Sequence, residues 1–416
     1  MTIRWITPLL GTAPASDELD VLGVEIIDVR EMVDRSGNHA QSIQDKIRSG
    51  VKSLTAGKKT IICCDHGISR SNSIAAGILA SIEQISIDAA VSKVIEATGE
   101  TEIQLGVIEA IRNVVENGKE LHHLQDVWLL TGASGYLGSL LVGKIPKNIK
   151  LLTPSKEELN LLNGTVPIDL FVRKHQVSRI IHCAAPRIKN INSSLGGSLT
   201  MLRNILEVCA VNKLSFFYPS RWEIYSGYFE QNLVVSEETE MRPFGILGDT
   251  HYLCEMLIQS WVKRGLEKVV VLRSGLIFGF DSAPNFIRSF IKRVVNGRKI
   301  ITHIYKNGAP KLDLLYASDW ADASWRLLLS QNYGTYGVGG GTLLSTREMA
   351  DIITNSCGGI KMPESIQVED VSSNILFDCK KLSMASGWKS EHDVIYELKK
   401  YAKHYANKLE VTKTGN

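Results

Sequence analysis

The polar and apolar positions of this chain form short uninterrupted apolar runs separated by longer stretches of helical periodicity. Two of the runs, Thr60–Cys64 and Val127–Thr131, lead through glycine into a segment of helical character. A short apolar run that ends in a glycine turn is typical of a buried strand, and apolar residues at three- and four-residue spacing are typical of a helix packed on it. The pattern therefore predicts two successive strand–loop–helix units, which divide the chain into two parts.

The region between these units predicts helices over 73–93 and 102–115, followed by a break at 117–120. We place a domain boundary in 117–126, which gives a first domain at 1–118 and a second at 127–416. From 127 onward strand-like and helix-like runs alternate, at 149–153, 166–175, 179–185, 199–211, 215–219, 251–264 and 269–274. This alternation predicts an α/β fold with a doubly wound parallel sheet, followed by a smaller C-terminal lobe.

Composition excludes several classes of protein. Apolar residues make up 44% and charged residues 22% of the 416 residues, as in ordinary globular proteins of two or three domains. The 47 basic and 44 acidic residues leave a net charge of +3, without the basic excess of a nucleic-acid binder. No apolar run approaches the roughly 18 residues of a spanning helix, so we expect a soluble cytoplasmic protein that binds neither membrane nor nucleic acid. Its oligomeric state stays open, with a homodimer as one form.

Seven cysteines are scattered along the chain, in neither a disulfide framework nor a zinc pattern, and we expect no metal site. One of them, Cys64, ends the first strand, and Arg70 follows after five residues with Ser71 next to it. A loop of this length can turn its backbone N–H groups inward, where they bind a phosphate dianion and lower the thiol pKa. We expect Cys64 as a nucleophile, Arg70 as a clamp on two phosphate oxygens and Ser71 as a donor to the departing thiolate.

The signature loop of the dual-specificity branch of the protein tyrosine phosphatases resembles the run Cys64-Asp65-His66-Gly67-Ile68-Ser69-Arg70-Ser71. Residues 9–14 and 23–31 are similar to that family's first strands, so the resemblance covers roughly 1–115 and implies a small phosphatase-like α/β domain. The family usually has His where this chain has Cys63. The resemblance also implies a general acid on an earlier loop. Asp34, 30 residues before Cys64, is the candidate, with a turn-forming role as the alternative, and Asp28 is less suitable because it lies in a strand.

The second glycine loop has the spacing T-G-x-x-G-x-x-G, in which glycines provide a tight turn, close approach to a pyrophosphate and helix packing. It resembles the extended short-chain dehydrogenase/reductase (NAD-dependent epimerase/dehydratase) family, and the run 152–163 is similar to GDP-fucose synthase and dTDP-4-dehydrorhamnose reductase. The resemblance covers nearly all of 127–405. It implies a cofactor site made of Gly132, Ser134, Gly135, Tyr136, Leu137, Gly138, Ala184 and Ala185.

The choice between NAD and NADP depends on the residues at the end of the second strand of that domain. No Asp or Glu occurs in 149–155, whereas Ser155 and Lys156 could contact a 2′-phosphate. NADP is therefore expected, with NAD as the alternative and a solvated Lys156 as the other interpretation of that residue.

The catalytic positions of the second family are altered. It uses a Ser/Thr and a Tyr-x-x-x-Lys pair, in which the lysine lowers the tyrosine pKa. Here Leu247 stands at the tyrosine position, His251 at the lysine position and Arg221 at the serine position. The substrate-side candidates are Ser220, Arg221, His251 and Tyr252.

Two functions stay open. One is a cysteine-dependent phosphatase of a small phosphorylated or sugar substrate, fused to a reductase or epimerase acting on nucleotide sugars in surface-carbohydrate metabolism. The other is a phosphatase that is regulated by an inactive NADP(H)-sensing domain.

Overall fold

The structure is a computed structural model that describes residues 2–16, 19, 23–116, 126–186, 191–229, 232–279 and 286–414. Most of the predicted boundary, 117–125, lies outside the described residues. The strands are β1 (Arg4–Trp5), β2 (Leu10–Pro14), β3 (Glu25–Asp28), β4 (Thr60–Cys64), β5 (Val127–Thr131), β6 (Lys150–Leu152), β7 (Arg179–His182), β8 (Ser215–Arg221), β9 (Leu233–Val235), β10 (Val269–Ser274), β11 (Leu276–Phe278), β12 (Ile301–Ile304), β13 (Lys311–Tyr316), β14 (Gly334–Val338), β15 (Leu343–Ser345), β16 (Glu364–Gln367) and β17 (Ile375–Phe377).

The α-helices are α1 (Ala40–Thr55), α2 (Arg70–Glu83), α3 (Ile87–Thr98), α4 (Leu105–Val115), α5 (Tyr136–Val142), α6 (Val166–Lys174), α7 (Ile191–Val211), α8 (Ile246–Val262), α9 (Phe286–Val295), α10 (Ala317–Ser330), α11 (Thr346–Ser356), α12 (Lys380–Ser386) and α13 (Val394–Thr414). Within the part of the chain that has described coordinates, none of these helices is both long and apolar enough to cross a membrane.

The chain forms two compact units that interleave in sequence. The first comprises Met1–Val127, Pro154–Ser178 and Thr200–Leu214, and the second comprises the remaining stretches. Helix α6 and most of α7 therefore belong to the first unit, although both follow the boundary placed by sequence. The division into 1–118 and 127–416 stays a prediction.

The first unit contains a four-stranded sheet in the order β1-β2-β4-β3. β4 pairs in parallel with β2 and with β3, and all five of its residues are buried because both neighbours and the helices cover it. Helices α1 and α2 cross closely, since a Cβ at Gly50 would lie 2.2 Å from Ile78 and one at Gly77 would lie 2.7 Å from Ile47. Cys64 therefore lies at the carboxyl-terminal end of this central strand.

The helix predicted over 73–93 is wrong as a single element, because two helices occupy this stretch. α2 ends where Gln84 adopts a left-handed conformation, with a φ of 56°. α3 then begins after Ser86, whose hydroxyl accepts a hydrogen bond from the Ala89 N–H at 3.2 Å. Serine at this position satisfies a free N–H of the helix terminus, so it starts a new helix instead of continuing the old one.

The second unit contains a six-stranded sheet in the order β14-β10-β8-β7-β5-β6. The pairs β14–β10, β10–β8, β8–β7 and β7–β5 are parallel. The chain passes from β5 to β6 on one side and continues from β7 on the other, so the strand order reverses between β5 and β7. The predicted Rossmann-type α/β sheet is confirmed, and such a reversal is where ligands bind in open parallel sheets.

Three apolar clusters of described residues lie in the second unit. The first lies on the six-stranded sheet and includes Trp128 and Trp325, whose rings stack with centroids 5.7 Å apart. The second packs α9, α11 and α13 on β11 and β13 of a separate sheet, whose order is β11-β13-β17-β9. The third lies around Tyr225 and includes residues of β9 and β17. The separate C-terminal lobe stays a prediction from the sequence, since residues 215–416 belong to the same compact unit as the six-stranded sheet.

Candidate functional site

The loop after β4 surrounds the thiol of Cys64, which is 2% exposed. The neutral thiol donates to Ser71 Oγ at 3.4 Å, and once the thiol ionises, that hydroxyl and the backbone N–H groups of His66, Gly67 and Ser71 donate to the thiolate. Burial raises the pKa of the thiol, but these donors outweigh it, so the pKa of Cys64 lies below its ordinary value. The loop therefore favours a thiolate at a point where several N–H groups converge.

Glycine is required at the turn of this loop. Gly67 has a φ of +67°, and a Cβ there would lie 2.5 Å from the backbone carbon of Ala13 and from the nitrogen of Pro14. Arg4 braces the same turn by donating to the Gly67 carbonyl at 3.2 Å, and it also pairs with Glu100 at 2.6 Å. The loop is thus held against the end of β2.

The guanidinium of Arg70 is fixed on two sides. Its Nη1 donates to the carbonyls of Arg30 at 3.1 Å and Met32 at 3.0 Å, and its Nη2 pairs with the carboxylate of Asp65. Its Nε is buried and has no hydrogen-bond partner among the described residues. The Nε side of this planar fork therefore keeps a donor for a ligand oxygen.

The structure brings Asp34 to the same loop. The Ser69 hydroxyl donates to Asp34 Oδ1 at 2.6 Å and accepts from the Gln104 N–H at 3.0 Å. Asp28, in contrast, is held by Arg30 at 2.6 Å. Ser69 was not predicted as a site residue from the sequence, although this serine directly precedes Arg70 in the loop.

The second glycine loop follows β5 at the point where the sheet order reverses. Gly132 has a φ of +73°, and a Cβ there would lie 2.5 Å from the Ala184 nitrogen. A Cβ at Gly138 would lie 2.2 Å from the Gly132 carbonyl oxygen, and the Gly135 N–H donates to that oxygen at 2.9 Å. These approaches explain the glycine spacing, and they fit a loop whose backbone must come close to a pyrophosphate.

The other predicted cofactor residues occupy different environments. Ser134 is exposed, Tyr136 and Leu137 begin α5 with Leu137 packed on the core, and Ala185 follows Ala184 after β7. Ser155 and Lys156 are exposed residues of the first unit. Ser155 makes a local turn, since its N–H donates to Glu158 Oε2 at 2.7 Å and its hydroxyl accepts from the Glu158 N–H at 3.3 Å.

A polar pair connects β8 and α8, with Tyr218 buried and His251 partly exposed. The Tyr218 hydroxyl lies 3.1 Å from Nδ1 of His251. Burial raises the pKa of Tyr218 well above its ordinary value, with the side chain of Cys254 acting in the same direction. Burial and the charge of Arg221 lower the pKa of His251 to about 3. At neutral pH the phenol therefore keeps its proton and the imidazole is neutral. The sequence analysis missed Tyr218, which only its contact with α8 reveals.

The remaining substrate-side candidates do not form a tyrosine–lysine pair. Ser220 is fully buried, Arg221 pairs with Glu223 at 2.8 Å, and Tyr252 packs on the cluster around Tyr225. Leu247 begins the exposed side of α8, where it is 37% exposed. Of the residues with described positions, no three His, Cys, Asp or Glu side chains are grouped so that they could hold a metal ion.

Comparisons with known proteins identify the second loop's family. The sequence model of the NAD dependent epimerase/dehydratase family matches residues 128–339, just over half of the chain. The dTDP-glucose 4,6-dehydratase of Streptomyces niveus is 26% identical over 267 residues, which cover 55% of this chain and 77% of the relative. The D-erythronate dehydrogenase of Haemophilus influenzae is 24% identical over 203 residues, 42% of this chain and 63% of the relative.

Solved structures share the fold at lower identity. A dTDP-glucose 4,6-dehydratase from Bacillus anthracis in complex with NAD has a TM-score of 0.58 at 17% identity, covering 68% of this chain and 98% of the other. A UDP-glucose 4-epimerase from Thermus thermophilus in complex with NAD has a TM-score of 0.55 at 20% identity, covering 67% and 98%. From the family match over 128–339, which contains both the glycine loop and the reversal of strand order, we conclude that the chain belongs to the NAD-dependent epimerase/dehydratase family.

Proposed function

We propose that this chain joins a cysteine-dependent phosphomonoesterase to a nicotinamide-dinucleotide-binding domain that acts in nucleotide-sugar metabolism. One observation carries the phosphatase: the Cys64 thiol, with its pKa lowered, lies at the point where the N–H groups of His66, Gly67 and Ser71 converge. The same donors that stabilise a thiolate can hold the equatorial oxygens of a phosphoryl group attacked by it.

The proposed reaction has two displacements. The Cys64 thiolate attacks phosphorus, an S–P bond forms and the bond between phosphorus and the leaving oxygen breaks. Asp34, as the acid, gives its proton to that oxygen. Water then attacks phosphorus, the S–P bond breaks and the thiolate departs towards the Ser71 hydroxyl, while Asp34 takes the proton of the water. Arg70 holds phosphate oxygens through both displacements.

The second domain would hold the dinucleotide on Gly132, Gly135 and Gly138, with Ala184 beside the loop. A nicotinamide cofactor supplies hydride transfer when bound. We propose NADP because 149–155 contains no acid for the ribose hydroxyls, whereas Ser155 at its end and Lys156 directly after it could contact a 2′-phosphate. The NAD named for the solved Bacillus anthracis and Thermus thermophilus relatives makes NAD the alternative. Those relatives, and the Streptomyces dehydratase, support a nucleotide sugar as the second domain's ligand.

A second candidate function is a phosphatase regulated by dinucleotide binding. Leu247 has no proton to give, and the pKa of Tyr218 is raised where the family's reaction needs a lowered tyrosine pKa. Incubation with NADPH and 4-keto sugar nucleotides, followed by absorbance, separates the two functions. Enzyme-dependent oxidation of NADPH supports the reductase, whereas binding without oxidation, accompanied by a changed phosphatase rate, supports the sensor.

The phosphatase is tested by hydrolysis of an aryl phosphate. We expect Cys64→Ser to abolish hydrolysis, because the hydroxyl is a far weaker nucleophile than the thiolate. The matched control is Cys63→Ala, since Cys63 packs in an apolar cluster with Ala13, Leu19 and Ile61. Equal rates for wild type and Cys64→Ser would contradict the assignment.

A further inference from the structure

The carboxylate of Asp65 lies beside the proposed phosphate site. Asp65 follows the nucleophile directly, and its Oδ2 pairs with Nη2 of Arg70. The Arg70 side chain is 11% exposed, whereas the Asp65 side chain is 53% exposed. The nearly buried guanidinium of Arg70 is therefore neutralised by the carboxylate of Asp65, whose side chain is exposed enough to rotate into solvent.

The contacts of Arg70 leave only one part of the guanidinium for a ligand. Nη1 is held by the carbonyls of Arg30 and Met32, which cannot leave without moving the backbone. Nε has no partner among the described residues, and Nη2 is shared with Asp65. A phosphate that binds the fork at two points uses Nε and Nη2 together, because these are the donors left on one edge. It therefore meets the carboxylate of Asp65 at Nη2.

Two anions at one donor repel each other. A phosphate dianion would gain the full attraction of Arg70 only if the carboxylate moved away from Nη2. Arg30 offers an alternative partner, since its charge already lowers the pKa of Asp65 together with that of Arg70, which dominates. The side chain of Arg30 is 55% exposed, so the displaced carboxylate can approach it without burial.

We propose that Asp65 is an internal competitor of the substrate's phosphate for Arg70, and that it sets substrate affinity while leaving the chemical step unchanged. The inference rests on the proposed phosphomonoesterase function. Asp65 touches neither the thiol nor the leaving oxygen in this role, so it is a positioning residue that acts through Arg70. In the resting site the Asp65 carboxylate occupies Arg70. A weakly binding anion therefore cannot displace it, whereas a phosphomonoester binds by replacing the carboxylate.

The test uses the full chain and inorganic phosphate as the probe. Asp65→Asn keeps an oxygen for Arg70 but removes the charge, and Glu25→Gln is the matched control because that partly exposed carboxylate pairs with Lys58 and lies at the other end of the β3–β4 pair from the loop. Calorimetry should give a dissociation constant for phosphate about three- to tenfold lower for Asp65→Asn, as expected for removal of one nearby like charge at a partly exposed site. KM for an aryl phosphate should fall by the same factor, with kcat and the constants of the Glu25→Gln control unchanged.

The outcomes separate this inference from the function beneath it. Unchanged or weaker phosphate binding by Asp65→Asn, with normal binding by wild type, overturns the competitor role and leaves the phosphatase standing. Phosphate binding by none of the proteins overturns both. A fall in kcat would also overturn the inference, because it would place Asp65 in the chemical step. Asp65→Ser serves as the second variant if Asp65→Asn does not fold.

Discussion

Substitution of Asp169 by alanine should lower the local stability of helices α4 and α6 in the first compact unit. Asp169 lies in the first turn of α6, and its side chain is 1% exposed. It accepts hydrogen bonds from Arg112 of α4 at 3.0 Å, from Asn212 at 2.6 Å and from Arg173 at 3.2 Å. One buried carboxylate therefore joins α4, α6 and the end of α7 within this unit.

The cost follows from what Asp169→Ala leaves behind. The Arg112 side chain is 5% exposed, and it keeps Asp88 and Glu109, which are 37% and 32% exposed. Burial lowers the pKa of Arg112, but Asp169 and Asp88 together raise it above its ordinary value. Without Asp169 the guanidinium still stays charged, because the ordinary pKa of arginine is far above neutral pH. Removing one partner of a buried pair typically costs about 3–5 kcal/mol. Because two partly exposed carboxylates remain, we expect the lower end, about 3 kcal/mol.

Hydrogen exchange measures this cost locally. A loss of about 3 kcal/mol should speed exchange in α4 and α6 about a hundredfold or more, while the strands of the second unit keep their protection. The control is Asp322→Ala, which breaks an exposed pair with Arg326 and should cost no more than about 1 kcal/mol. Protection in α4 and α6 that falls no further than in this control would refute the assignment of the buried cluster as the link between these helices.

Three further predictions concern the two sites. Because its pKa is lowered, the Cys64 thiol should ionise at a lower pH than an ordinary cysteine. Ser71→Ala should move the pH midpoint of Cys64 alkylation upward, and an unmoved midpoint would contradict the role of that hydroxyl. Asp34→Asn should reduce kcat about a hundredfold for an alkyl phosphate and much less for an aryl phosphate, whose leaving oxygen needs less help from an acid, and equal losses on both substrates would exclude Asp34 as the acid. Gly138→Ala should abolish dinucleotide binding measured by calorimetry, since its Cβ would lie 2.2 Å from the Gly132 oxygen, and binding at wild-type strength would contradict this account of the loop.

Both glycine loops could be located from sequence because their spacing reports backbone geometry. Gly67 and Gly132 adopt positive φ, and a Cβ at either would lie 2.5 Å from backbone atoms, so no other residue fits. The parallel sheet after residue 127 was also predictable, since alternating runs of β and α character are typical of βαβ units. The two loops are local features, and each is encoded within about ten residues.

The contacts that complete the sites join distant segments, and no local pattern reports them. Ser69 bonds to Asp34, which lies 35 positions away, and Arg70 reaches the carbonyl of Arg30, 40 positions away. Tyr218 looked like an ordinary strand residue until His251 of α8 was placed beside it. Likewise, Asp169 has the sequence context of a common first-turn helix acid, so its partnership with Arg112 and the interleaved units could not be foreseen.

The central claim is that Cys64 carries the phosphoryl group during turnover. Rapid acid quench of the full chain during hydrolysis of an aryl phosphate, followed by peptide mass spectrometry, measures this directly. The account predicts a phosphorylated peptide containing Cys64, absent from Cys64→Ser and more abundant in a variant slowed in the second displacement, such as Ser71→Ala. Hydrolysis that proceeds with no phosphate on Cys64 in either wild type or Ser71→Ala would contradict it.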